Sequence, residues 1–299
     1  MTTISISQDD DIKRAIAESL EPLNIEDIVK NKVVAIKPND TWASKEDTTA
    51  VTQGDSLRAV IQYIKKFMPA RIIVSGGAGA AETEDVFRYS GMMVALLEEE
   101  AVFFDHNKPP FKDVNLQFRS EQDIQVPQKE IKINPHIMDY EVLVALNQLK
   151  VHSSATVTLA MKNIAMSFPP ADYYGHPRES YKHEHDFFSD LHLFIVSMIK
   201  RFPIDLSITV GHPAMVGSGP VGGHTFETGL AVSSRDAIAC DAACAEILGF
   251  KAEDVKHIKV AGELGLGETD KNKFEYPGMS LKEAVDGFRK IAKEKGFLT

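Results

Sequence analysis

Cysteine is scarce in this chain: Cys240 and Cys244 are its only two. Two thiolates fall short of the four that hold a usual iron–sulfur cluster, so no such cluster is expected. The pair reads as small apolar side chains one helical turn apart, and a chain so poor in cysteine reads as a reduced cytoplasmic protein. Long apolar runs are missing too. No stretch approaches the ~20 residues that span a bilayer, so no membrane partner is expected. The N-terminal stretch MTTISISQDDDIKRAI lacks an apolar core and carries Asp9, Asp10 and Asp11, unlike a secretory signal or a mitochondrial presequence. Positive charge is in deficit, with 33 basic against 43 acidic side chains and a formal charge of −10. Phosphate backbones need a basic footprint, so nucleic acid is not an expected partner, although a local basic pocket stays open.

Internal repeats and linkers rich in Gly, Pro or Ser are also lacking. The 299 residues therefore read as one α/β domain, 1–299, with a core over about 32–249. Its 43% hydrophobic and 25% charged content suits an ordinary globule. KVVAIKP reads as a buried strand, and GDSLRAVIQYIKKFM repeats Leu57, Val60, Ile61, Ile64 and Met68 at helical spacing. RIIVSGG, TEDVFRYSGMMVALLEEE and AVFFD continue as strand, helix and strand, which implies right-handed crossovers and a parallel sheet. Residues 107–135 are less regular and read as an inserted, partly antiparallel segment, with VNLQF and KEIKIN as short strands. EVLVALNQLK, DFFSDLHLFIVSMIKRF and IDLSITVGH resume the alternation, followed by ETGLAVSS and a helix over Arg235–Leu248. Two helices close the chain over 250–299, the last opened by a capping box at Ser280 and Glu283 and ended at Gly296. The expected fold is a mainly parallel sheet with helices on both faces.

Ligands bind beyond the carboxyl ends of parallel strands. Those ends carry Lys37-Pro38-Asn39-Asp40, SGGAGAAETED, Lys150 with His152, and Gly211-His212 with GSGPVGGH, whereas EDIVKN and KFMPA at the opposite edge are plain. This asymmetry predicts a single site. GAGAAE is short of a dinucleotide fingerprint, and Glu82, Glu84 and Asp85 would repel a phosphate there, so it reads as a tight turn. VGSGPVGGH serves equally as a hairpin between strands or as a loop presenting N–H groups to an anion. HPRESYKHEHDFFSDLH brings His176, His183, His185 and His192 together; a divalent metal on His183 and His185 is an alternative, though no standard zinc spacing is present.

The motifs together resemble the domain of unknown function 362 family. Lys37-Pro38-Asn39 matches its first strand end, and LKVHSSATVTLAMKN its central stretch, with Lys150, His152, Val157, Thr158, Lys162 and Asn163 in register. His185 resembles its histidine before a helix; Gly217, Gly219, Pro220 and Gly223 its glycine loop; and Ser234, Asp236 and Asp241 its last helix start. Val210, Gly211 and Val216 stand where that family usually or often has carboxylates. The fused ferredoxin module of many relatives is not matched here, so their iron–sulfur label does not transfer.

The resulting expectation is an enzyme or enzyme-like binder of a small anion, a carboxylate or phosphate. Lys37 and Lys162 would neutralise it. Asn39, Asn163, Lys150 and the loop glycines Gly217, Gly219, Gly222 and Gly223 would hold it, with Asp241 beside them. His152 or His185 would carry protons and, with Lys162, form the catalytic set. Asp236 reads as a helix cap. The rival readings are a metal-binding protein using the 176–192 histidines and a non-catalytic partner of a redox enzyme; a homodimer is left open.

Overall fold

The computed structural model describes residues 1–116, 130–177 and 190–297. Its strands are β1 (Thr2–Thr3), β2 (Ser5–Gln8), β3 (Val33–Pro38), β4 (Arg71–Gly76), β5 (Val102–Asp105), β6 (Lys112–Asn115), β7 (Glu130–Ile133), β8 (Val142–His152), β9 (Thr156–Thr158), β10 (Leu206–Val216), β11 (His224–Phe226), β12 (Leu230–Ser234) and β13 (Phe274–Glu275). The helices are α1 (Ile12–Leu20), α2 (Glu26–Val29), α3 (Gly54–Lys65), α4 (Thr83–Tyr89), α5 (Met92–Glu98), α6 (Ala160–Ser167), α7 (Ala171–Tyr174), α8 (Leu191–Arg201), α9 (Ala237–Ile247), α10 (Lys256–Glu263) and α11 (Leu281–Glu294).

The main sheet runs β2-β12-β10-β8-β3-β4-β5. Its centre, β10, β8, β3, β4 and β5, is parallel, while β12 and β2 close one edge antiparallel. Alternate strand residues feed two apolar layers, as the pleat requires. Val34, Ile36, Val144, Leu146 and Ile208 pack with Ile16, Leu57, Ile61 and Leu96 of α1, α3 and α5. Ala35, Leu143 and Ala145 face the other way, towards Ile164, Phe194, Met198 and Cys244 of α6, α8 and α9. Burying both faces explains why the central strands read as continuous apolar runs. Among the described residues, no helix is long and apolar enough to cross a membrane.

Local chemistry sets the boundaries. The helix expected over TEDVFRYSGMMVALLEEE is two, α4 and α5, because Gly91 takes φ 76° between them. A Cβ on Gly54, the first residue of α3, would lie 2.4 Å from the Gly91 carbonyl oxygen, so the two glycines let these segments pack backbone to backbone. In the 107–135 region, β6 and β7 form their own antiparallel pair. The N-terminal segment, outside the expected 32–249 core, supplies edge strand β2 and then α1, capped by Asp11. Ser280 and Glu283 make the capping box of α11. Asp236 caps α9, accepting from the amides of Ile238 and Ala239.

Candidate functional site

The carboxyl ends of β3, β4 and β8, helix α6 and the loop joining β10 to β11 enclose a cleft of about 660 Å³. Asn39, Asp40, Gly77, Gly79, His152, Thr158, Lys162, Asn163, Ser167, Pro220 and Val221 are among its walls. β8 is buried along its whole length, polar residues included, and β9 folds back on it with Lys150 opposite Thr158 and His152 opposite Thr156. This return brings Thr158 to the strand end and starts α6 immediately beyond, so Lys162 and Asn163 face the cleft from its first turns. Leu159 cannot cap α6 with its side chain. Asp241, reaching from α9, accepts instead from the amides of Ala160 and Met161, each at 2.9 Å.

Charge is handled residue by residue. The fully buried Lys37 ammonium pairs with Asp40 at 2.6 Å and also donates to the Pro38 carbonyl. Asp40 in turn accepts from the Gly77 amide at 2.7 Å, tying the ends of β3 and β4 together. Asn163 donates to the Lys37 carbonyl at 3.2 Å and to Asn147 at 3.0 Å. Lys150, fully buried, donates to the Ala50 carbonyl at 2.7 Å. Burial, and then the Lys162 charge, lowers its pKa well below the usual lysine value. His152 accepts at Nδ1 from the amides of Ser154 and Ala155, at 3.0 and 3.2 Å. Its single proton therefore sits on Nε2, which is buried without a partner. Burial, then Lys162 and Lys150, pushes this imidazole down to about 3, so it stays neutral. The Thr158 hydroxyl and Asn39 Oδ1 are also buried without partners.

Asn39, His152, Lys162 and Asn163 thus line the cleft, whereas Lys37 and Lys150 lie behind its wall. The loop contributes Pro220 and Val221 rather than Gly217, Gly219, Gly222 or Gly223. Its glycines matter for docking: a Cβ on Gly219 would lie 2.0 Å from the Val151 carbonyl oxygen, and the Gly219 carbonyl accepts from the Ser153 amide. Asp241 is a correction, since both its oxygens are engaged by the start of α6 and it does not wall the cleft. His183 and His185 lie outside the described residues. His176 is 3.5 Å from Asp172, while His192 and His257 meet Nδ1 to Nδ1 at 3.0 Å. Among the described residues no three His, Cys, Asp or Glu side chains converge as metal ligands.

His212 serves elsewhere. It is held between Asp55 at 2.9 Å and Glu227 at 2.6 Å, and those carboxylates raise it to about 10. Sequence reasoning missed Ser167, which carries no motif, and read GAGAAE as a tight turn, although Gly77 and Gly79 wall the cleft. The signal for the latter was its position at the end of β4.

A mainly parallel α/β sheet with a cleft beyond its carboxyl ends, into which a few polar side chains are set, defines the class. The family described as domain of unknown function (DUF362) matches residues 34–246, and the chain belongs to that family. It is 25% identical over 241 residues to a thylakoid-associated protein of Synechocystis sp., covering 79% of this chain and 69% of that protein. Among solved structures it is similar to a lactate racemase apoprotein from Thermoanaerobacterium thermosaccharolyticum, with TM-score 0.47 and 12% identity over 88% of this chain. A structural-genomics protein from Thermotoga maritima gives TM-score 0.41 and 13% identity over 81%. The chain spans 57% and 60% of the lengths of these two structures.

Proposed function

We propose that the cleft binds a small anion, a carboxylate or phosphate, in the manner of an enzyme or enzyme-like binder. The observation that supports this reading is the His152 Nε2–H, buried, unpartnered and set in the same cleft as Lys162. An orphaned buried donor costs about 1–3 kcal/mol, which an acceptor atom on a ligand would recover. The Thr158 hydroxyl offers a second donor, and Lys162 supplies the charge. Because two amides occupy Nδ1 and the imidazole stays neutral, His152 acts as a hydrogen-bond donor to the ligand's oxygen, not as the proton carrier expected from sequence.

Titrating phosphate or sulfate against thermal stability tests this. A ligand that binds only the folded chain stabilises it saturably, whereas exclusion of such salts from the surface does not saturate. Lys162→Met keeps most of the apolar stem and removes the charge. Loss of one charged hydrogen bond, about 1.5–3 kcal/mol, weakens binding roughly 10- to 150-fold. A saturable response of wild-type affinity in Lys162→Met would overturn the reading.

A further inference from the structure

With His152 fixed as a donor, the cleft needs another group to move protons, and a buried chain of hydrogen bonds ends at its wall. The Tyr140 hydroxyl donates to Ser75 Oγ at 3.0 Å, and Ser75 Oγ lies 2.8 Å from His106 Nδ1. His106 Nε2 lies 3.2 Å from Ser167 Oγ, and Ser167 donates to the Gly77 carbonyl at 3.0 Å. Each hydroxyl has one proton, so the Tyr140 and Ser167 donations set a single polarity. Tyr140 gives to Ser75, Ser75 gives to Nδ1, Nε2–H gives to Ser167, and Ser167 gives to Gly77.

We propose that Tyr140, Ser75, His106 and Ser167 form a proton relay serving the cleft, with His106 as its proton-transfer group and Ser167 as its contact to the ligand. The proposal rests on reading the cleft as a ligand site, and it narrows the ligand to an anion that carries an exchangeable O–H of its own. In the polarity of the free protein, Ser167 gives its proton to the ligand and takes the Nε2 proton of His106, Nδ1 takes the proton of Ser75, Ser75 takes that of Tyr140, and the phenol takes one from solvent. That transfer leaves every bond of the chain reversed, with His106 as the Nδ1–H form, and a ligand O–H that donates to Ser167 Oγ favours the same reversed state. From it, the ligand gives its proton to Ser167, the Ser167 proton passes to Nε2, the Nδ1 proton to Ser75 and the Ser75 proton to Tyr140, and the phenol releases one, which restores the first polarity. Every member gives one proton and receives one, so no oxidant or further reactant is needed.

Placement supports transfer across the sheet. Ser167 walls the cleft at the carboxyl edge. Tyr140 borders a separate surface depression of about 700 Å³ beside Glu141 and Asp205, at the amino ends of β8 and β10. His106, fully buried, is held in one plane: Phe168 packs edge-on against it at 5.5 Å, and a Cβ on Gly77 would lie 1.8 Å from Nε2. Glycine at 77 is therefore what lets the ring lie against the loop that Ser167 bonds.

The test is ¹⁵N-histidine NMR of the full chain, which reads the protonated nitrogen of each ring. In the free protein His106 is expected as the Nε2–H form. Tyr140→Phe removes the donor that sets the polarity, so His106 should become a mixture with at least one fifth Nδ1–H. Phosphate at pH 6, which carries O–H groups, should shift at least half of the His106 rings to Nδ1–H. Sulfate, which carries none, should not, and Ser167→Ala should abolish the phosphate effect. A structural hydrogen-bond network would hold one tautomer throughout; that result, or a free protein with the proton on Nδ1, overturns the relay. Should neither anion move the His152 Nε2–H resonance, the anion reading of the cleft fails. The free-protein response to Tyr140→Phe still decides the relay, an altered tautomer ratio upholding it and an unaltered one overturning it.

Discussion

Replacing Asp241 with asparagine should flatten a pH dependence that the wild-type fold carries from pH 5 to 8. The carboxyl is fully buried, and burial outweighs the amides of Met161 and Ala160 to push its pKa up to about 7 from 3.8. The folded form thus holds the proton more tightly than the unfolded form. Its contribution to stability is fully present below about pH 4 and is lost as pH rises through 7. One pKa unit corresponds to about 1.4 kcal/mol, so the gap between pH 5 and 7 is worth roughly 2–3 kcal/mol at most. Asparagine fills the same space but does not titrate. It accepts from one amide of α6 and turns an N–H₂ towards the other, a fixed cost of about 1–3 kcal/mol. Urea unfolding of both proteins at pH 5, 6, 7 and 8 measures the difference. The stability advantage of wild type over Asp241→Asn should shrink by roughly 2 kcal/mol across that range. A constant advantage would mean that Asp241 is ionised throughout, and that two backbone amides suffice to hold a buried charge.

Three further outcomes follow from the same geometry. His212 is raised to about 10 by Asp55 and Glu227, so its stabilising pairs are fully present below about pH 6.5 and vanish as pH rises through 10. Both carboxylates are more than half exposed, at 51% and 62%, so His212→Gln should cost only about 1 kcal/mol at pH 6. An equal cost at pH 10.5 would contradict the assignment. Gly219→Ala forces a methyl against the Val151 carbonyl and must displace the loop, costing about 1–3 kcal/mol and weakening the saturable phosphate response. Undiminished phosphate affinity in that variant would show that the loop does not shape the cleft. Cys240 and Cys244 are fully buried, and burial, with Cys240 beside it, pushes the Cys244 thiol up, so neither should react with a thiol reagent until the chain unfolds. Rapid labelling of the native protein would refute this.

By itself the sequence determined the alternation of strands and helices, the parallel centre and the edge at which polar residues gather. Those properties are local: periodicity, turn chemistry and the residue that follows each strand act over a few positions. LKVHSSATVTLAMKN displayed its purpose this way, because a strand buried to its end at His152 must deliver its polar residues somewhere. Partnership was left to the tertiary structure. Nothing near Lys37 in sequence foretold that Asp40 would take its charge and then bind Gly77, and nothing near Asp241 that it would cap a helix some 80 residues earlier. Nor could composition assign the proton of His152, which depends on two amides of the turn that follows it. Ser167 and His106 lie 61 residues apart and meet only because the end of α6 reaches the residues that follow β4 and β5. Hydrogen-bond polarity, burial and the resulting pKa shifts are properties of three-dimensional neighbours, and a neighbour across the sheet leaves no periodic trace in the chain.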